Sequence, residues 1–268
     1  MCQLLGMNCN TPTDIQFSFE GFARRGGLTD EHADGWGIAF FEDSAARCFI
    51  DNTPASASPV AELIRSYPIR SKHVISHIRK ATVGAVKLPN CHPFVRELWG
   101  QAWVFAHNGD LKDFQPELSG DYLPIGDTDS EHAFCLILQT LKSSFGLRRP
   151  DNRPSLQDIE SVIRPLCAQI AQHGTFNMLM SNGEALFAHC STRLEYIVRA
   201  YPFKQAHLID CDLKVDFGQV TTPNDRVAVI ATTALTDDET WTPFAPGSLL
   251  VFQDGQPVLA DGTPLPNN

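Results

Sequence analysis

The chain has 268 residues and a net charge of −10, and 43% of its residues are hydrophobic. This length suits one large domain or two small ones. The negative charge argues against a nucleic-acid backbone as the main partner, because phosphate binding needs a basic patch. The sequence has neither an apolar run of about 18 residues nor the basic and apolar start of a signal peptide. We therefore expect a cytoplasmic protein with no nucleic-acid or membrane partner.

Eight cysteines are present, and none belongs to a Cys-x-x-Cys pair. Structural zinc sites usually contain such pairs, and disulfide frameworks belong to small secreted chains. The sequence therefore predicts neither a metal site nor disulfides, and most of these thiols should fill the core.

The first part of the chain alternates predicted helices and strands. The patterns favour a helix within 12–27 (Asp14 as N-cap, Gly26 and Gly27 as its stop), a buried strand at 36–41, a hairpin partner at 44–50 and a short helix at 59–67. Two further strands, starting at 73 and 101, each run into polar residues, SHIRKAT and HNGD. Since rigid scaffolds often present chemistry at the ends of their elements, these two polar segments are candidate site positions.

Two helices and a β-rich segment follow. Thr128 and Glu131 predict a capping box before an apolar helical stripe, and Ser155 with Asp158 caps a second helix. Strands are predicted at 176–181, 185–190, 195–200, 226–232 and 247–252, with Asn182-Gly183 as a hairpin signal. This order predicts a layered α+β fold with antiparallel sheets. Because no long linker divides the chain, we expect a single domain over 1–268.

Cys2 becomes the N-terminal residue if Met1 is removed. One residue then carries both a thiol, with an ordinary pKa of about 8.5, and an α-amine, with a pKa of about 7.7 to 8.0. The amine could take the thiol proton directly or through a water, as in N-terminal threonine nucleophiles. The alternative is that Cys2 is a small buried hydrophobe.

Asn108 and Gly109 could stabilise the oxyanion that forms when a thiolate attacks a carbonyl. The asparagine amide and the glycine N–H would be the two donors. A plain Asn-Gly turn is the alternative interpretation of this pair.

Arg79 offers a bidentate fork for a carboxylate, and Thr82 could add a hydroxyl. Asp129, in the first turn of a predicted helix, either complements the helix dipole or binds an ammonium group. We assign no proton-transfer role to the histidines bordering these loops, which are His77, His92 and His107. A thiol with oxyanion donors, a carboxylate fork and an acid for an ammonium together describe an α-amino acid with a side-chain carbonyl, and glutamine fits.

The chain resembles the class-II glutamine amidotransferases, and within them the stand-alone YafJ type. The segments that carry this resemblance are Met1-Cys2, RGG (25–27), DGWGI (34–38), SHIRKAT (76–82), NCHPF (90–94), HNG (107–109), TDSE (128–131), FNMLMSNG (176–183), TPND (222–225) and ETW (239–241).

The resemblance covers essentially the whole chain and implies a four-layer αββα sandwich, the N-terminal-nucleophile hydrolase fold. It also implies Cys2 as the nucleophile, Asn108 and Gly109 as the oxyanion hole, Arg79 with Thr82 as the carboxylate site, and Asp129 as the ammonium site. It implies no metal or organic cofactor, glutamine as the substrate, and a possible separate synthase subunit that accepts the ammonia.

Two other functions remain open. The site could hydrolyse a γ-glutamyl amide other than glutamine and release an amine. The chain could instead be a non-enzymatic amino-acid-binding or partner-regulating domain, which a retained Met1 would favour because it blocks the amine.

Overall fold

The computed structural model describes residues 2–81 and 84–265. Its α-helices are α1 (Gln16–Arg24), α2 (Pro59–Ser66), α3 (Asp129–Phe145) and α4 (Leu156–Ile170). Its strands are β1 (Gln3–Thr13), β2 (Trp36–Glu42), β3 (Ala45–Asp51), β4 (Ser71–Ile78), β5 (Phe94–Leu98), β6 (Gln101–Leu111), β7 (Gly174–Ser181), β8 (Leu186–Cys190), β9 (Glu195–Ala200), β10 (Gln205–His207), β11 (Lys214–Asp216), β12 (Arg226–Ala231), β13 (Thr242–Pro243), β14 (Ser248–Gln253) and β15 (Gln256–Val258).

Two large antiparallel sheets organise the chain. The first has the order β13-β9-β12-β1-β4-β2-β3, and the second has the order β15-β14-β8-β7-β6-β5. Strand β1 lies in the middle of the first sheet, between β12 and β4. The residue that precedes β1 is therefore held next to the centre of a sheet.

Three apolar clusters separate four layers. Between the sheets pack the inward side chains, among them Leu4, Val104 and Leu179. The outer face of the first sheet packs against α1 and α2, and the outer face of the second packs against α3 and α4. Leu4 faces the other sheet whereas its neighbour Leu5 faces the helices, as the two-residue period of a strand requires. The structure confirms the predicted α+β fold with four αββα layers.

Strand β1 was absent from the sequence prediction, and it also shifts the first helix. Residues Gln3 to Cys9 are buried, and because both faces of the sheet are covered, the strand lacks an alternating pattern. Since β1 continues to Thr13, α1 begins only at Gln16 and its N-cap position is Ile15. The prediction of Asp14 as N-cap is wrong, although its carboxylate accepts the Gln16 N–H at 3.3 Å.

The two predicted caps differ in the structure. Ser155 and Asp158 form the full capping box of α4. The Thr128 hydroxyl accepts the Glu131 N–H, but the Glu131 carboxylate bonds to Arg96 and to the Gly126 N–H instead of closing the box. The contact of the buried Glu131 with Arg96 therefore replaces the second half of the predicted capping box.

Among the described residues, no helix has both the length and the apolar character needed to cross a lipid bilayer.

Truncating Leu179 should destabilise the layer between the sheets. Its side chain is fully buried there, so Leu179→Ala should lower the free energy of unfolding by about 2 to 5 kcal/mol. Urea unfolding measures this change. Leu147→Ala is the matched control, because Leu147 is 84% exposed and its truncation should change stability by less than about 0.5 kcal/mol. Equal effects of the two variants would contradict the assigned core.

Candidate active site

Cys2 lies against the backbone that follows β4. Its neighbour Gln3 pairs with Ile78, so Cys2 comes opposite the start of the next loop. The Lys80 N–H donates to the Cys2 Sγ at 3.2 Å, and the thiol in turn faces the Lys80 carbonyl at 3.3 Å. Two backbone groups of one residue therefore fix the position of the sulfur.

The surroundings of Cys2 keep its thiol protonated near neutral pH. Burial raises the pKa of the thiol above its ordinary value. The Lys80 N–H and the Arg79 charge lower this pKa, whereas the Asp34 carboxylate raises it further. The net direction is upward, so forming a thiolate here requires a nearby base.

Asn108 and Gly109 lie within strand β6, so the alternative interpretation as a plain turn is wrong. Asn108 pairs with Asn177 and Gly109 with Phe176 of the neighbouring strand β7. A Cβ on Gly109 would lie 1.7 Å from the Thr175 carbonyl oxygen. Only glycine fits this close approach of two backbones.

The Thr232 hydroxyl connects Asn108 to the strand that begins after Cys2. It accepts the Leu4 N–H at 2.9 Å and the Asn108 side-chain amide at 3.3 Å. The fully buried Asn108 keeps a second amide proton beyond this bond. Thr232 ends a strand predicted from its apolar run, but no sequence signal showed that it would contact residues so far away.

Asn177 supports the same region from β7, although no pattern in the sequence marks it as a site residue. Its amide donates to the Asn108 carbonyl at 3.2 Å and to the Thr192 hydroxyl at 2.8 Å. Its side-chain oxygen accepts the N–H groups of Ser191 and Thr192, both at 3.0 Å. These bonds hold the β6 backbone at Asn108 against the loop after β8.

Asp129 is half-buried and lies at the far end of β6. One carboxylate oxygen accepts the Leu111 N–H at 2.7 Å, and the other accepts the Ser130 N–H at 2.8 Å. Leu111 follows Gly109 by two residues, so the acid lies beside the strand that carries Asn108 and Gly109.

Arg79 is buried below the loop that follows it. Its guanidinium donates to the Ala85 carbonyl at 3.1 Å and to the Gly84 carbonyl at 3.2 Å. Its backbone N–H donates to the Gly35 carbonyl at 2.8 Å, and the Asp34 carboxylate accepts the Ala81 N–H at 2.8 Å. Asp34 and Gly35 thus hold the loop that carries Arg79. The predicted partner of Arg79, Thr82, lies outside the described residues.

Polar contacts join the Arg79 loop to the segment that leads into Asp129. The Asn90 side chain donates to the Ala85 carbonyl at 2.9 Å and to the Asp127 carboxylate at 2.5 Å. Lys87 forms a 2.8 Å ion pair with the same Asp127. The two segments that carry the candidate substrate-binding residues are therefore connected.

Three buried histidines lie close to this region. The ring centroids of His77 and His92 are 4.2 Å apart. His107 bonds to the Ser130 hydroxyl at 2.8 Å and to the Thr175 carbonyl at 2.9 Å. Burial lowers the pKa of each below its ordinary value of 6.5. All three are therefore neutral near pH 7, and they fill space and fix backbone without adding charge. In the described ranges, no group of three or more His, Cys, Asp or Glu side chains is placed to hold a metal ion.

Two antiparallel sheets between helical layers, with the first strand in the centre of one sheet, define the N-terminal-nucleophile hydrolase fold. The glutamine phosphoribosylpyrophosphate amidotransferase of Bacillus subtilis shares this fold at 13% identity with a TM-score of 0.55, and the match covers 94% of this chain and 47% of that one. The family model described as glutamine amidotransferases class-II matches residues 1–267. The chain belongs to this family.

Close relatives support the assignment. A protein of Haemophilus influenzae named as a candidate glutamine amidotransferase is 52% identical over 98% of this chain and 88% of its own length. The candidate glutamine amidotransferase YafJ of Escherichia coli is 47% identical, over 97% of this chain and 100% of its own length. The crystal structure of a predicted glutamine amidotransferase from Pseudomonas aeruginosa has 43% identity and a TM-score of 0.76, and covers 96% of this chain and 100% of that one.

The alkylation of Cys2 should report its raised pKa. In protein that retains Met1, the rate of Cys2 modification by iodoacetamide should still increase as the pH passes 9.0, because the thiolate is the reacting form. Intact-mass time courses measure the rate, and a Cys2→Ala variant subtracts modification of the other cysteines. A rate that stops increasing below pH 8 would contradict the direction of this shift.

Proposed function

We propose that this protein is a glutaminase of the class-II type, in which Cys2 attacks the side-chain amide of glutamine after Met1 has been removed. One observation carries the proposal: the Thr232 hydroxyl bonds both to the backbone two residues after Cys2 and to the Asn108 amide. The Thr232 hydroxyl therefore links the backbone that follows the candidate nucleophile, in one sheet, to the candidate oxyanion donor, in the facing sheet.

The free α-amine of Cys2 is the base in this proposal. Burial raises the pKa of the thiol, so little thiolate forms without help. Removal of Met1 creates an amine on the same residue, with an ordinary pKa of about 7.7 to 8.0. This amine takes the thiol proton, and its positive charge then stabilises the neighbouring thiolate.

Asn108 and Gly109 supply the oxyanion hole. The Thr232 hydroxyl orients the Asn108 amide, which leaves the second amide proton for the substrate oxygen. The Gly109 N–H is the second donor. Fixed donors of this kind need no reorganisation when the charge develops.

Arg79 and Asp129 bind the amino-acid end of the substrate. The Arg79 guanidinium holds the α-carboxylate, because its planar fork matches a carboxylate. The half-buried Asp129 carboxylate binds the α-ammonium group. Thr82 adds a hydroxyl to the carboxylate site in this proposal.

The reaction proceeds through a thioester. The Cys2 sulfur bonds to the side-chain amide carbon, and the carbonyl electrons move onto the oxygen. The protonated amine gives its proton to the leaving nitrogen, the C–N bond breaks, and ammonia departs. Water then adds to the γ-glutamyl thioester, the C–S bond breaks, and glutamate leaves with the thiol restored. A separate synthase subunit would use the ammonia.

We propose the cytoplasm as the place of this reaction. All eight cysteines are free thiols in the structure. A reducing compartment keeps such thiols, including the proposed nucleophile, in the reduced state.

Hydrolysis of another γ-glutamyl amide is the second candidate. The proposed site recognises the glutamyl part and leaves the amide substituent undefined. Large apolar side chains are exposed on the two connected segments near Arg79 and Asp129, namely Val86, Leu88, Leu123 and Ile125. Because Arg79 and Asp129 are proposed to bind the amino-acid end, these side chains lie at that end and do not decide which amine the substrate carries. Comparing kcat/KM for glutamine and γ-glutamyl-p-nitroanilide separates the two candidates, because both carry the same glutamyl group.

Labelling with 6-diazo-5-oxo-L-norleucine tests the nucleophile. Protein lacking Met1 should gain one adduct, and peptide mapping should place it on Cys2, because the reagent copies glutamine at the reacting carbon. Cys2→Ala should gain none, and Cys211→Ser should be labelled like the wild type. An adduct that survives in Cys2→Ala would exclude Cys2 from this role, and protein from its native host that retains Met1 would favour the binding-domain alternative.

Removing the proposed oxyanion donor should reduce turnover. Asn108→Ala should lower kcat for glutamine, or for the preferred γ-glutamyl amide, by about 10²- to 10³-fold. Ammonia or amine release measures kcat, and urea unfolding shows whether the variant is folded. Asn152→Ala is the control, since Asn152 is exposed in the connector before α4. Turnover of Asn108→Ala within a few-fold of the wild type would exclude the proposed role.

A further inference from the structure

A large cavity lies on the outer face of the first sheet, away from Cys2. Its volume is about 1120 Å³, and its floor includes Met7, Val227 and Val229. It reaches Thr11 to Thr13, at the opposite end of β1 from Cys2. Pockets for small organic molecules usually measure about 300 to 1,000 Å³, so a ligand of that kind fits here.

The N-terminus of α1 opens into this cavity. The Gln16 N–H bonds to the Asp14 carboxylate, but the N–H groups of Phe17 and Ser18 have no acceptor within 2–81 and 84–265. The first turn contains no acidic residue. Free N–H groups and the helix dipole together favour an anion at this position.

Ser18 adds a hydroxyl group to this end of the cavity. The residue lines the cavity and is only 5% exposed. Its hydroxyl has no hydrogen-bond partner in the part of the chain that the structure describes. The Ser18 oxygen is not among the fully enclosed polar atoms, so this hydroxyl is available to bond to a molecule in the cavity.

Arg70 adds a positive charge close to the start of α1. Its neighbour Ser71 pairs with Thr13, which brings Arg70 beside the segment that leads into the helix. Arg70 lines the cavity and is exposed, and no carboxylate among the described residues pairs with it.

The other charges around the cavity are largely paired. Arg24 and Arg65 both contact Glu20, and Arg199 forms a bidentate pair with Glu239. Among the acids, Asp225 accepts bonds from Thr11 and Thr222, and Asp14 accepts the Gln16 N–H. The side chain of Asp212 is 97% exposed and therefore well solvated. Among the described residues that line the cavity, Arg70 is therefore the cation without a carboxylate partner.

Aromatic side chains form another part of the cavity wall. Phe17 and Phe217 pack edge to face with their ring centroids 5.4 Å apart. The Arg199 guanidinium carbon lies 5.7 Å from the centroid of Phe17 and 4.7 Å from that of Phe217. Phe203 and Val220 also line the cavity. Such a wall suits a flat or apolar molecular body.

We propose that this cavity binds an organic anion. Its phosphate or carboxylate group lies at the N-terminus of α1, bonded to the N–H groups of Phe17 and Ser18, the Ser18 hydroxyl and Arg70. Its ring or other apolar body packs against Phe203 and Phe217.

Calorimetric titration with phenyl phosphate, phenylacetate and phenol tests the proposal. The three probes share a ring and differ in charge, so at least one of the two anions should bind more tightly than phenol. The tighter anion shows whether the site prefers phosphate or carboxylate. Arg70→Ala should weaken binding of that anion by about tenfold or more, since it removes a charge-assisted hydrogen bond. Arg149→Ala is the matched control, because Arg149 is exposed in the connector after α3 and does not line the cavity.

Amide NMR spectra locate the bound anion. The Phe17 and Ser18 N–H resonances should shift with the anions and not with phenol, and Ser18→Ala should weaken binding with the fold unchanged. Three results would each overturn the proposal: anions that bind no better than phenol, affinity that is the same in Arg70→Ala and the wild type, or unshifted Phe17 and Ser18 resonances at saturation.

Discussion

The Thr232 hydroxyl is the contact on which the candidate active site depends. It accepts one N–H from β1, in the first sheet, and one amide proton from Asn108, in the second sheet. A hydroxyl oxygen has two lone pairs, and both bonds lie in the buried interior, where unpaired polar groups are costly. This shared acceptor sets the distance between the start of the chain and strand β6. The sheets could pack without it, but the backbone after Cys2 and the Asn108 side chain would no longer be held by one shared acceptor.

The rest of the site is held by backbone contacts and by connections between loops. Lys80 fixes the Cys2 sulfur through its own N–H and carbonyl, and Asp34 holds the following residue. The contact of Asn90 with Asp127 then joins the Arg79 loop to the segment before α3. The proposed nucleophile, the proposed oxyanion donors and the proposed substrate-binding groups therefore belong to one connected framework, although they come from distant parts of the sequence.

The sequence predicted the parts of this protein that follow from local patterns. Helices α2, α3 and α4 and most long strands lie where the local patterns predict them, and the resemblance to a known family supplied the order of the layers. Strand β1 was not predicted, because a strand that is covered on both faces has no polar alternation. The Asn-Gly pair has a turn-like composition, yet Asn108 and Gly109 belong to a strand because β7 pairs with both. Thr232 could not be found from its neighbours, since its role depends on residues 124 and 228 positions away.

The position of Cys2 also limits when the chain could mature. Gln3 and Leu4 are buried and paired with β4, directly after Cys2. An aminopeptidase must take the first residues of its substrate into its own active-site cleft, and strand pairing this close to the scissile bond prevents that. If the proposed function holds, the cleavage that it requires is therefore easier on the nascent chain, before β1 enters the sheet. If the chain folded before Met1 was removed, the proposed function predicts a stable but inactive protein. The order of folding and cleavage would then decide how much of the protein becomes active.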